Sequence, residues 1–138
     1  MFLTVIAASL AVQAADWTWT LYEGDGPLVL ANEIVDTPQL RTTLECAPGS
    51  GVARLSLYDS DLAAGFATLA AGAATATTQA ETGRGGRISI ALRTDHPAFT
   101  GFVVGGALTV TVGEATETVE VPAPHLARLQ RFAQLCSG

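Results

Sequence analysis

From Asp16 onward, apolar side chains recur at every second position, the pattern of strands with one buried face. Trp17, Trp19 and Leu21 fall on one face of a first strand, and Thr18, Thr20 and Tyr22 on the other. Glu23-Gly24-Asp25-Gly26-Pro27 is dense in turn formers and ends it. A second strand is expected over residues 28–35, closed by Asp36-Thr37-Pro38. In a third, Leu40, Thr42, Leu44 and Cys46 alternate with Arg41, Thr43 and Glu45, which turns the Cys46 sulfur inward. Pro48-Gly49-Ser50-Gly51 makes the next turn, residues 52–58 the next strand, and Asp59-Ser60-Asp61 breaks it.

Residues 66–81 are rich in Ala, Thr and Gly. Their alanines suit a short helix as well as a strand, but Gly72 and the threonines favour strand. Gly83-Arg84-Gly85-Gly86 reads as a hairpin loop, followed by a strand over residues 87–93 with Ile88, Ile90 and Leu92 on one face. Thr94-Asp95-His96-Pro97 is a connection, residues 99–104 a short apolar strand, and Gly105-Gly106 a turn or bulge. Leu108, Val110 and Val112 alternate with threonines; after a turn at Gly113-Glu114-Ala115, residues 116–121 pair back as a hairpin. Then the period changes. Leu126, Leu129, Phe132, Ala133 and Cys136 recur at helical spacing, which predicts one amphipathic helix over residues 124–136, opened by Pro124.

About eight or nine short strands with no helix between them predict an all-β fold. The expected form is an antiparallel β-sandwich or flattened barrel of hairpins, carrying one C-terminal helix.

The start of the chain reads differently. Residues 2–12 are almost wholly apolar and uncharged, and Val12-Gln13-Ala14 precedes Ala15-Asp16 as a signal peptidase requires. A run this short does not span a bilayer, which takes about 20 apolar residues. Residues 1–14 are therefore expected to be a signal peptide and residues 15–138 one domain, periplasmic or secreted. No Cys follows the segment, so no bacterial lipid anchor is expected there.

Export changes the meaning of the two cysteines. In an oxidising compartment Cys46 and Cys136 most simply form a disulfide, with a metal pair or free thiols as the alternatives. The formal net charge of −6 argues against nucleic acid and anionic lipid as partners. No membrane span is expected in the mature protein. All seven basic residues are Arg, read here as genomic composition.

No motif announces catalysis. Ser50 lies in Pro-Gly-Ser-Gly without the strand–elbow–helix context of a nucleophile, and Ser56 and Ser89 are mid-strand. Asp95-His96-Pro97 reads as a turn and His125 as a solvated helix start. Asp59 and Asp61 form a D-x-D pair without the rest of a calcium loop, read as a polar turn. Glu114, Glu117 and Glu120 read as a solvated edge. No catalytic residue, cofactor or metal is assigned. Two minor ligand candidates stand beside their structural readings. Trp17 and Trp19 can form an aromatic platform for sugar or peptide, although Leu21 on the same face favours core packing. Arg84, Gly85, Gly86 and Arg87 can cradle an anion, although Gly-rich hairpin tips are common.

The layout of an export signal, early Trp17 and Cys46 strands, a strand over residues 88–93 running into Thr94-Asp95, and a helix from Leu126 to Cys136 resembles the invasion-associated locus B family of small bacterial periplasmic proteins. That resemblance implies a periplasmic β-sandwich. The expected function is a non-catalytic binding or envelope-associated module whose partner is another envelope protein or a small ligand. An inhibitor or immunity protein against an extracytoplasmic hydrolase is the rival, and a small hydrolytic enzyme the third reading.

Overall fold

In the computed structural model, which describes residues 16–138, the alternating segments become strands. The leader expected at residues 1–14 lies outside the described residues. In chain order the strands before the first helix are β1 (Trp17–Tyr22), β2 (Leu28–Ile34), β3 (Leu40–Cys46), β4 (Val52–Leu57), β5 (Gly65–Ala71), β6 (Ala74–Thr82) and β7 (Ile88–Arg93). Helix α1 (Pro97–Gly105) follows, then β8 (Ala107–Val112), β9 (Ala115–Glu120) and helix α2 (Leu126–Ser137). Among the described residues, nine strands form one antiparallel sheet in the order β1-β2-β3-β4-β7-β6-β5-β8-β9. The sheet curls into a half-barrel. The all-β class and C-terminal helix hold, in the barrel-like form and not as two packed sheets.

Cross-strand register explains the core. Leu30 faces Leu44, Leu44 faces Leu55, and Leu55 faces Ile90, one row of large side chains on the concave side. All four are buried, together with Leu69 and Val110 further round the curl. Both helices fill this concavity, with Phe99 and Phe102 from α1 and Leu129, Phe132 and Cys136 from α2 in the same core.

Helix α1 corrects the strand expected over residues 99–104. An apolar run this short does not distinguish strand from buried helix, so its ends decide. Pro97 fixes the first turn, and the His96 ring Nδ1 accepts from the Ala98 N–H at 3.0 Å. At the other end Gly106 adopts φ 80°, and its N–H reaches Phe102 O. A Cβ on Gly106 would lie 2.5 Å from Val121 O, so glycine is required there twice over. Inside the helix, Phe99 and Phe102 sit three residues apart and meet edge-to-face with centroids 6.4 Å apart.

Residues 66–81 are a hairpin, β5–β6, turning at Gly72 with φ 59°. The alanine content follows from packing. Ala67, Ala71, Ala76 and Ala80 are buried, and α1 rests on β5 and β6. At Gly101 the approach is so close that a Cβ would stand 3.0 Å from Ala71 O.

Helix α2 begins at Leu126 after a 3-10 turn over Ala123–His125, slightly later than Pro124. Its terminus is tied to the β3–β4 turn. Cys136 is bridged to Cys46, with Cα atoms 5.7 Å apart and a sequence separation of 90 residues. Gly49 and Gly51 donate their N–H groups to Leu135 O and Cys136 O at 3.0 and 2.9 Å, satisfying carbonyls a helix end leaves unpaired.

Antiparallel order therefore gives the half-barrel two unlike ends. One gathers the end of β3, the start of β4, the end of β7, the disulfide and the α2 terminus. The other gathers the starts of β1, β3 and β7 and the ends of β2, β4 and β6.

Candidate functional site

The candidate site lies at the second end and begins with a bulge. Asn32 pairs with Thr42 and Glu33 with Leu40, leaving Arg41 as the extra residue of β3. Bulges re-aim side chains. Here the Arg41 guanidinium carbon stands 3.9 Å from the centroid of the Trp17 ring, a cation–π stack on the neighbouring edge of the sheet. The strict alternation that predicted Arg41 opposite to Thr42 does not hold at this point.

Beside the stack is a cleft of about 630 Å³ lined by Trp17, Arg41, Thr42, Tyr58, Asp59 and Glu117, with Gly85 and residues 38–40 completing its rim. A volume of this size lies within the range of ordinary small-molecule sites, about 300–1,000 Å³. Tyr58 is held by its own N–H, which donates to Arg41 O at 3.0 Å. Its hydroxyl lies 3.4 Å from Thr43 Oγ1 and accepts from Arg87 Nη1 at 3.3 Å. Glu117 enters from β9, where Ser60 Oγ donates to its Oε2 at 2.6 Å. Asp59 takes a left-handed backbone, φ 53°, in the turn after β4.

The two tryptophans divide. Trp17 is half-buried and lines the cleft, whereas Trp19 is in the core. Trp19 spans the seam between the outermost strands: its Nε1–H donates to Glu120 O at 3.1 Å, and Arg128 Nη1 donates to Trp19 O at 2.9 Å. β1 and β9 are thus linked through side chains and not through a ladder. A smaller recess of about 290 Å³ beside the seam shares Trp17 and Arg41 with the main cleft and adds Trp19, Asn32, Glu120 and His125.

The loop Arg84, Gly85, Gly86, Arg87 contributes unevenly. Arg84–Gly86 is an exposed 3-10 turn, with only Gly85 reaching the cleft wall. Arg87 folds back over Gly83, whose missing side chain makes the room; a Cβ there would lie 2.9 Å from Arg87 Nε. That Nε is the buried side-chain polar atom without a partner among the described residues.

Elsewhere the polar candidates have local roles. His96 caps α1, and His125 is half-buried and bonded to Arg128, which corrects the solvated position expected for it. Ser56 and Ser89 are buried in the sheet, the latter accepting from Arg54 Nη1 at 3.0 Å. Ser50 bonds within its own turn. Glu114 and Glu120 are exposed as a solvated edge requires, but Glu117 is half-buried in the cleft, against that expectation. Among the described residues, no group of three or more His, Cys, Asp or Glu is placed to hold a metal ion, and no helix is long and apolar enough to cross a membrane.

Three perturbed ionisations lie away from the cleft. A hydrogen bond to the Glu33 carboxylate raises the Tyr22 hydroxyl above its ordinary value. Arg93 holds Asp95 below the usual carboxylate range through two hydrogen bonds at the surface, and Asp95 raises Arg93 in return.

Compared with known proteins, the chain matches no family model, no curated protein and no solved structure. Its chemistry is read from its own residues.

Proposed function

We propose that this is an exported, non-catalytic binding module whose ligand enters the open end of the half-barrel. The observation that carries this reading is the bulge-driven Arg41–Trp17 stack at the wall of a concave cleft. A half-buried ring and a planar cation, each holding the other in place, lose little freedom when a ligand docks beside them. Support for export comes from the apolar leader and the Cys46–Cys136 pair, which suits an oxidising compartment. The resemblance to invasion-associated locus B proteins fits a periplasmic setting.

The inhibitor reading rests on Arg84, exposed at the tip of the turn between β6 and β7. The cleft is the better candidate because it gathers residues from β1, β3, β9 and three turns, whereas Arg84 stands on one turn. The test is ligand-observed NMR of the purified domain with a low-molecular-weight extract of the native envelope. Extract components should show saturation transfer from the wild type and lose it with Trp17→Ala at unchanged melting temperature. Equal signals from both proteins would dismiss the cleft.

A further inference from the structure

The cleft carries charges of both signs that do not neutralise each other. Arg41 stands on one wall, held by the Trp17 ring and not by a carboxylate. Asp59 and Glu117 line the same cleft from the turn after β4 and from β9. Among the described residues the ion pairs are Arg93–Asp95 and Arg131–Glu23, neither of them in the cleft. Arg41 therefore shares the cleft with two carboxylates without forming an ion pair with either.

Arg41 and Asp59 are exposed and Glu117 is half-buried, so charges of both signs are accessible to a ligand in one cleft. The stack explains why Arg41 does not collapse: its planar group is held against Trp17, leaving N–H edges free for a carboxylate. Glu117 is likewise positioned, with Ser60 occupying one oxygen and the other left to accept. The cleft as a whole suits neither a purely anionic ligand, which Asp59 and Glu117 would repel, nor a purely cationic one, which Arg41 would repel.

We infer that the cleft recognises a small zwitterion of the amino-acid or short-peptide class, its carboxylate on Arg41 and its ammonium between Asp59 and Glu117. This rests on the binding-module reading and adds the ligand's chemistry to it. Trp17 and Thr42 would then border the uncharged middle of the ligand.

Calorimetric titration with the dipeptide alanylalanine, its N-acetyl form and its C-terminal amide tests the assignment. Removing one charge-assisted hydrogen bond should weaken binding by about ten- to a hundredfold, so both blocked forms bind worse than the parent. Arg41→Gln should erase the difference between the dipeptide and its amide. The double variant Asp59→Asn, Glu117→Gln should erase the difference between the dipeptide and its N-acetyl form. Melting temperatures of both variants confirm the fold, and higher salt should weaken the wild-type binding. Equal affinity for all three forms would overturn the zwitterion while leaving the cleft a binding site. No heat with alanylalanine, but saturation transfer from the envelope extract that depends on Trp17, would do the same. No signal from either would remove both readings.

Discussion

The two ends of the half-barrel differ in how their strand termini are finished. At one end the β3–β4 turn is bonded to the last carbonyls of α2 and linked to it by Cys46–Cys136. Phe132 and Leu129 fill the space beneath. At the other end a bulge turns Arg41 onto Trp17, and charged side chains face a cleft. On the proposed reading, the contrast separates stability from recognition. A sheet clamped and filled at one end can leave its other end polar and concave without losing its curl.

Substitutions that respect this division should sort by which end they touch. Phe132→Ala, wholly within the filled end, should cost about 3–5 kcal/mol in chemical denaturation, the usual cost of an emptied aromatic site. Binding in the cleft should persist while the protein stays folded. Cys136→Ser should cost about 2–5 kcal/mol by the same measurement, because it reopens a long loop in the unfolded chain. Should it instead leave stability unchanged, the clamp would be ornamental.

Trp19→Phe sharpens the comparison at the seam. The substitution removes the N–H to Glu120 O and part of a buried indole, which together should cost about 2 kcal/mol. If β1 and β9 depend on this link, their amides should exchange with solvent faster than those of β3 and β4 in the variant. The smallest effect concerns acid. Asp95 is held below its ordinary pKa by Arg93, so its contribution is present above the unfolded carboxylate range and disappears as pH falls through the lowered value. Both groups are exposed, so Asp95→Asn should only slightly flatten the decline of melting temperature on acidification. A variant whose acid profile falls more steeply than wild type would contradict that sign.

Much of the scaffold is legible in the sequence because alternation and turn chemistry agree. β1 is followed by Gly24 and Gly26, β8 turns into β9 at Gly113, and each has one apolar face. The α2 stripe and the inward Cys46 are legible for the same reason, and together they lead to the disulfide. Helix α1 is hidden because Phe99, Phe102 and Val103 lie in an apolar run with no polar face to set a period. Its signals are at the ends, in His96-Pro97 and Gly106, and they read equally well as a strand connection and a turn.

The candidate site is less legible than the fold, and Arg41 shows why. One bulge moves a residue off its alternation, and nothing in Leu40-Arg41-Thr42 marks where that bulge falls. Glu117 is hidden differently. Its neighbours Glu114 and Glu120 are solvated, and only the turn at Ser60, 57 residues earlier, distinguishes it. Trp17 is visible as an aromatic on a shared face, but its separation from Trp19 depends on the seam, which joins residues 101 positions apart.

The most direct test of the division between the two ends is amide chemical-shift mapping of the oxidised, isotope-labelled protein titrated with the envelope extract. Shifts are expected at Trp17, Arg41, Thr42, Asp59, Gly85 and Glu117, with α1 and α2 unmoved. Shifts centred on the helices or on the outer face of the sheet, or no shifts at the cleft, would contradict that division.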